Sequence, residues 1–273
     1  MNNLHRELAP VSDEAWAQIE QEAARTARRY LAGRRVVDLQ GPSGDTLSAV
    51  GTGRLKSSDS LTEGVQAWQR EAIHLIELRA PFTLSREEID AVARGAQDAD
   101  WDPVRDAARH IALAEDLAIF SGYPAAGITG IVPGAANDSM PLPVELTDYP
   151  AAIAAAIGEL RSAGVDGPYT AVLSADVYTA LSQASSHGYP VIQHVRRLLD
   201  GEIVWAPAIS GAIVLSMRGG DFVLHLGQDL SIGYLSHTDT EVTLYLQESM
   251  TFQLLAGEAA VALTASKTSR SAA

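Results

Sequence analysis

FVLHLGQDLSIGY (residues 222–234), followed past a turn at 237–240 by VTLYLQESMTFQL (residues 242–254), sets the architecture of this chain. In the first string Phe222, Leu224, Leu226, Leu230, Ile232 and Tyr234 share even parity; in the second Val242, Leu244, Leu246, Met250, Phe252 and Leu254 do. Such alternation marks strands with one apolar face. Two of them form a hairpin, and its apolar face must pack on a helix. The natural cover is a helix at 102–120, where Val104, Ala107, Ala108, Ile111, Ala114, Ala118 and Ile119 make one stripe. Asp102 reads as its N-cap and Pro103 as its first helical residue. Hairpin and helix then share one domain, and residues 124–220 between them are an insertion.

Inside the insertion, Gly, Pro and Ala dominate up to Pro150. Helical and strand patterns then alternate at 151–163, 169–173, 175–184, 191–199, 203–205 and 212–217, the signature of a small α/β domain. Upstream of the long helix, SREE (residues 85–88) reads as a capping box for a helix at 87–94. The run EAIHLIELRAPFTL (residues 71–84) changes phase between Leu75 and Ile76, which predicts a bulge. Before it, SAVGTGRLKSSDSLTEG (residues 48–64) has too few large apolar residues for a core, so this region reads as a projecting hairpin arm that needs a partner surface. The chain opens with an amphipathic helix at 13–32: Ser12 caps it, Asp13 and Glu14 suit its positive end, and Gly33 stops it. Trp16, Ile19, Ala23, Ala27 and Tyr30 lie on the face that must dock. The tail 265–273 (ASKTSRSAA) is polar and expected to be disordered.

Composition narrows the function. The 273 residues carry 20 Lys and Arg against 34 Asp and Glu, a net charge of −14, which argues against nucleic acid as the main partner. There is no cysteine, so disulfides, thiolate metal sites and a thiol nucleophile are excluded. No apolar run reaches the roughly 20 residues of a membrane span, and the start lacks the pattern of a secretory signal. A cytoplasmic location is expected. From His110 to Val195 there are eight acids and one base, Arg161. That acidity is either an ordinary soluble surface or the rim of an opening.

Catalytic patterns are missing. DADWD (residues 98–102) resembles the start of a calcium loop, yet Pro103 and Arg109 stand where Gly and Glu are needed. Gly51 and Gly53, and Gly127, Gly130 and Gly134, lack the companions of a phosphate cradle. The seven histidines are scattered. Glu115 and Asp116 are adjacent on a helix and point about 100° apart, so they suit a buried ion pair or a subunit contact better than one carboxylate site. No metal, cofactor or catalytic residue is expected.

Several strings, in order along residues 3–263, resemble the encapsulin shell proteins, the linocin or culture-filtrate type of nanocompartment subunit (family 1). They are LAPVSDEAW, GRRVVDLQGP, IELRAPFTLS, AEDLAIFSGY, GVDGPYTAVLS, HGYPVIQHV, RGGDFVLHLGQDLSIGY and LYLQESMTF. The resemblance implies an α+β, tailed-phage capsid (HK97-like) fold. Its parts would be an N-terminal helix and arm (1–40), an extended loop (41–72), a peripheral domain with a spine helix (73–123 and 221–264) and an inserted axial domain (124–220). It further implies a closed icosahedral shell, most simply of sixty copies, a homo-oligomer in which each arm completes its neighbours.

Such shells enclose cargo, commonly a dye-decolorising peroxidase or a ferritin-like protein, with roles in oxidative stress or iron storage. The cargo's C-terminal peptide docks on the lumen side. On matching positions here the docking patch would comprise Arg34, Val36, Asp38, Leu230, Ile232 and Tyr234, with Tyr30 and Phe252; Leu230, Ile232 and Phe252 read equally as hairpin core. The loop of Ser186, His187, Gly188 and Tyr189 would line a fivefold pore, and the acidic insertion would favour cations there. A phage major capsid protein is the alternative with the same fold. A bacteriocin or peptidase ranks below it, since no nucleophile and base pair is present.

Overall fold

The computed structural model describes residues 3–186 and 188–265; His187 and all of the tail but Ala265 lie outside the described residues. Helix α1 (Asp13–Tyr30) starts where Ser12 accepts the Ala15 N–H at 3.2 Å. It ends two residues short of the expected end. Gly33 lies beyond it for a different reason: a β-carbon there would sit 2.5 Å from Ile119 Cδ1. The chain continues through β1 (Asp38–Gln40) into the arm, a two-stranded ribbon of β2 (Ala49–Ser58) and β3 (Ala67–His74) whose side chains are largely exposed. The phase change at Leu75 marks the end of the ribbon: Leu75 donates to the Ser48 carbonyl, and β4 (Ile76–Ser85) leaves to join the main sheet.

Helix α2 (Arg86–Ala93) follows directly. The capping box expected at its start is not formed. Ser85 ends β4, paired with Glu241, and its side chain caps nothing; Glu88 is drawn away to accept the Asp100 N–H at 3.0 Å. In the long helix α3 (Asp102–Phe120) Asp102 is the first helical residue rather than the N-cap, and Asp100 accepts its N–H at 2.9 Å. At its end Gly122 (φ +81°) crosses Gly130 backbone to backbone; a β-carbon on Gly130 would come within 2.8 Å of the Phe120 carbonyl carbon. No other residue lets the chain turn there.

Beyond that crossing come α4 (Ile131–Gly134), β5 (Met140–Pro141), α5 (Tyr149–Ser162), β6 (Tyr169–Leu173), α6 (Ala175–Gln183), the small hairpin β7 (Ser185–Ser186) and β8 (Tyr189–Pro190), α7 (Val191–Arg196), β9 (Ile203–Trp205) and β10 (Ala212–Ser216). The chain then returns through β11 (Phe222–Leu226), β12 (Ser231–His237), β13 (Glu241–Leu254) and β14 (Ala260–Thr264).

Two sheets result. In the first, β13 is the centre. The run expected as one long strand is two, β11 and β12, both on the same edge of β13 and separated by a jog at 227–230. Gly227 makes that jog possible, since a β-carbon would lie 2.5 Å from Ser249 Oγ. β4 pairs antiparallel along the opposite edge, and β1 adds in parallel to β11. The predicted cover is present: Phe82, Leu84, Ile232, Val242, Leu244 and Leu246 of this sheet share a core with Val104, Ala108 and Ile111 of α3, and α1 adds Trp16, Ile19 and Ala23.

The second sheet runs β5-β14-β10-β6-β9. β6, β10 and β14 are buried almost throughout, as expected of strands covered on both faces. β14, which the sequence reading grouped with the hairpin, instead pairs with β10 and β5 of the inserted α/β layer. A short apolar run without polar alternation fits either sheet. Phe120, Phe222 and Phe252 belong to this second core, so the two layers are joined by packing as well as by chain.

Candidate functional site

A concavity in the first layer runs along α1. One hollow of about 310 Å³ is floored by Leu230, Ile232 and Leu246 and walled by Ala23, Ala24 and Ala27 of α1. A second, of about 380 Å³, shares Ala24, Ala27 and Leu230 and continues past Leu31 to Arg34, Arg35 and Asp229. Three alanines on one side of the helix leave the groove open, because a methyl group reaches less far than any longer side chain. Its near end is closed by the Arg6–Glu20 ion pair (2.6 Å).

At the far end stands a buried charge cluster. Arg34 Nε donates to Glu115 at 2.9 Å, its Nη1 to Asp229 at 2.7 Å and its Nη2 to Glu248 at 3.0 Å. Glu115 and Glu248 are wholly buried. Asp229 also accepts the Leu230 N–H at 2.8 Å, so the cluster fixes the residue that both hollows share. Burial disfavours the Arg34 cation, but hydrogen bonds and attraction from Glu115 and then Asp229 outweigh that and hold its pKa above the usual value. Burial, and then repulsion from Glu115, push the Glu248 carboxyl well above the usual carboxylate range. Next to Glu115, burial raises Asp116 to about 7 against the pull of the Gly33 and Ala32 N–H groups, which it accepts at 2.8 and 3.0 Å. The two neighbouring acids thus serve separate contacts, an ion pair and a backbone turn.

The structure brings together Leu230, Ile232 and Arg34 of the expected docking patch. Ile232 is largely covered and shares the α1–α3 core; Leu230 is half-buried. The other five line neither hollow, although Tyr30 and Tyr234 pack against the same core as Leu230 and Ile232. Val36 and Phe252 are buried in the second core and face no groove. Asp38 is exposed and accepts the Gly220 N–H. Tyr30 turns to Trp205, with ring centres 5.6 Å apart, and Tyr234 pairs with His237 Nδ1 at 2.6 Å. Sequence reasoning missed Asp229, Glu248 and the alanine wall. A signal existed for Glu248: it occupies an inward, even-parity position between Leu246 and Met250, where a charge demands a partner.

The expected pore loop is the β7–β8 hairpin, with Gly188 at φ +79°. Arg197 donates to the Tyr189 hydroxyl at 3.0 Å and its guanidinium lies 5.0 Å from the ring centre; His194 packs on the same ring. Between Asp176 and Asp200 the chain has no acid, whereas His194, Arg196 and Arg197 follow the loop.

A mixed α+β chain with a projecting ribbon, a long helix beneath a sheet and an inserted second layer has the capsid-type fold. It superposes with a TM-score of 0.67 on the virus-like particle of Pyrococcus furiosus, at 15% identity over 92% of this chain and 99% of that one. The capsid of Myoviridae phage XM1 gives 0.54, at 12% identity over 86% and 92%. The chain belongs to the encapsulin shell-protein family, described as encapsulating protein for peroxidase, which matches residues 1–251. It is 59% identical to the type 1 encapsulin shell protein of Rhodococcus erythropolis, over 96% of this chain and 100% of that one. To the same-named protein of Mycobacterium tuberculosis it is 55% identical, over 97% and 100%.

Proposed function

We propose that copies of this chain close into an icosahedral compartment in the cytoplasm, most simply of sixty subunits, and that the α1 groove holds the C-terminal peptide of an enclosed enzyme. The groove itself carries this reading: an apolar floor of Leu230, Ile232 and Leu246, a methyl-lined wall and a polar end suit a short extended peptide with small apolar anchors. A dye-decolorising peroxidase or a ferritin-like protein is the proposed cargo; the family's description names a peroxidase. The chain supplies a wall and an anchor, and the chemistry belongs to the cargo. In the same reading, residues 124–220 lie around the shell's axes and the hairpin with Ser186, Gly188 and Tyr189 borders an opening.

Leu230 is the residue to change, because Ile232 also belongs to the core and a charge there would cost folding as well as docking. Leu230→Asp is expected to leave particles of normal size in electron microscopy while co-purified cargo falls by about tenfold or more. Normal loading of that variant would remove the groove from the docking role.

A further inference from the structure

α1 has a second face that the groove does not use. Between Glu22 and Asp38 the sequence holds Arg25, Arg28, Arg29, Arg34 and Arg35 and no acid, in a chain whose net charge is −14. Arg25, Arg28 and Arg29 are exposed along one ridge of the helix. Open hollows of about 390 and 520 Å³ flank them; Arg25 and Arg29 line both, and Arg105 and Arg109 of α3 back the first.

Some of this charge is already matched. Arg25 and Arg105 each bind Glu22 at 2.7 Å, and Arg109 binds Asp106 at 3.2 Å. Arg28 and Arg29 form no ion pair among the described residues; Arg29 lies over the Trp205 ring, 6.0 Å from its centre. Arg28 also lines the hollow that holds Leu230 and Arg34. Arg28 therefore stands directly beside the docking groove, and Arg29 faces the two hollows further round the helix.

We propose that this ridge binds an acidic stretch of polypeptide, the part of a cargo protein that adjoins its docking peptide. The proposal rests on the groove reading above and adds the chemistry of the partner outside the groove. The dimensions favour peptide: Arg25 and Arg29 are one helical turn apart, about 6 Å, close to the roughly 6.6 Å between alternate side chains of an extended chain. Planar guanidinium forks bind carboxylates through paired hydrogen bonds. A nucleic acid would need a long track of phosphate contacts, and the rest of an acidic chain repels it.

Binding is measured by fluorescence anisotropy of the full-length protein, dissociated and reassembled, with three labelled probes: hexaglutamate, hexaglutamine and a short single-stranded DNA oligonucleotide. Hexaglutamate is expected to bind, to weaken steeply with salt, and to lose about tenfold in affinity in the Arg28→Gln/Arg29→Gln double variant. The Arg28→Lys/Arg29→Lys variant keeps the charge but loses the planar fork, and is expected to bind more weakly than wild type yet more tightly than the glutamine variant, which separates lost charge from lost folding. Equal binding of hexaglutamine, an unchanged double variant, or DNA binding more tightly than hexaglutamate would each overturn the proposal. The assay contains no docking peptide, so its failure is distinct from normal cargo loading in Leu230→Asp.

Discussion

At Arg34 three carboxylates share one guanidinium, and two of them have no water to fall back on. Removing the arginine leaves buried acids unpaired, so Arg34→Met is expected to destabilise by about 3–5 kcal/mol in thermal melts. Burial and Glu115 raise the Glu248 carboxyl in the folded chain, so Glu248→Gln should become more favourable relative to wild type as pH rises, read in paired thermal melts. Asp116 brings a pH dependence with a defined sign. Its folded pKa, about 7, lies above the ordinary 3.8, so the folded chain binds a proton that the unfolded chain has released. The associated stability is whole below about pH 4 and is lost as pH rises through about 7. Against Asp116→Asn, wild type should lose up to about 4 kcal/mol across that range, read as a change in the difference between their melting temperatures. A difference that stays flat would show Asp116 ionised throughout. At this scale the sequence was half legible: adjacency and helix geometry separated Glu115 from Asp116, but their partners lie more than eighty residues away, in Arg34 and the Ala32–Gly33 turn.

Elements were legible wherever one pattern fixed both type and cover. α1, β6 and β9 follow from caps and periodicity; the phase change at Leu75, read as a bulge, is instead the junction where the ribbon ends and β4 joins the sheet. The capping box at Ser85–Glu88 failed because tertiary contacts outbid a local one: β4 claims Ser85 and the Asp100 turn claims Glu88. Ser85→Ala should therefore cost less than about 0.5 kcal/mol, whereas Glu88→Ala should cost about 1 kcal/mol through the lost Asp100 bond. Denaturant midpoints of the two variants in the reverse order would restore the capping box. The placement of β14 was illegible for a different reason. Strand pairing is chosen by which edge the returning chain meets, here β10 rather than β13, and that is not written in a five-residue apolar run.

At the scale of the molecule, the ribbon of β2 and β3 is what the single chain leaves unfinished. It exposes Leu55, Leu61, Val65 and Trp68, and neither of the two cores includes a residue from it. A two-stranded ribbon without an apolar face packed on something is marginal in water, so the ribbon's persistence calls for a neighbouring subunit to cover it. Trp68 makes that testable from within. Trp16 and Trp101 are already buried and Trp205 is held against Tyr30 and Arg29, so burial on assembly should act mainly on Trp68, which is 55% exposed. Tryptophan emission is expected to shift to the blue as dissociated subunits reassemble, and the shift should vanish in Trp68→Phe. Leu55→Ser combined with Trp68→Ser should leave circular dichroism near that of wild type, since both cores are intact, while light scattering falls from particles to small species. If the doubly substituted chain still closed into particles with the emission of Trp68→Phe unchanged, the ribbon would be ornament, and the contacts that join subunits would have to be sought on the rims of the two sheets.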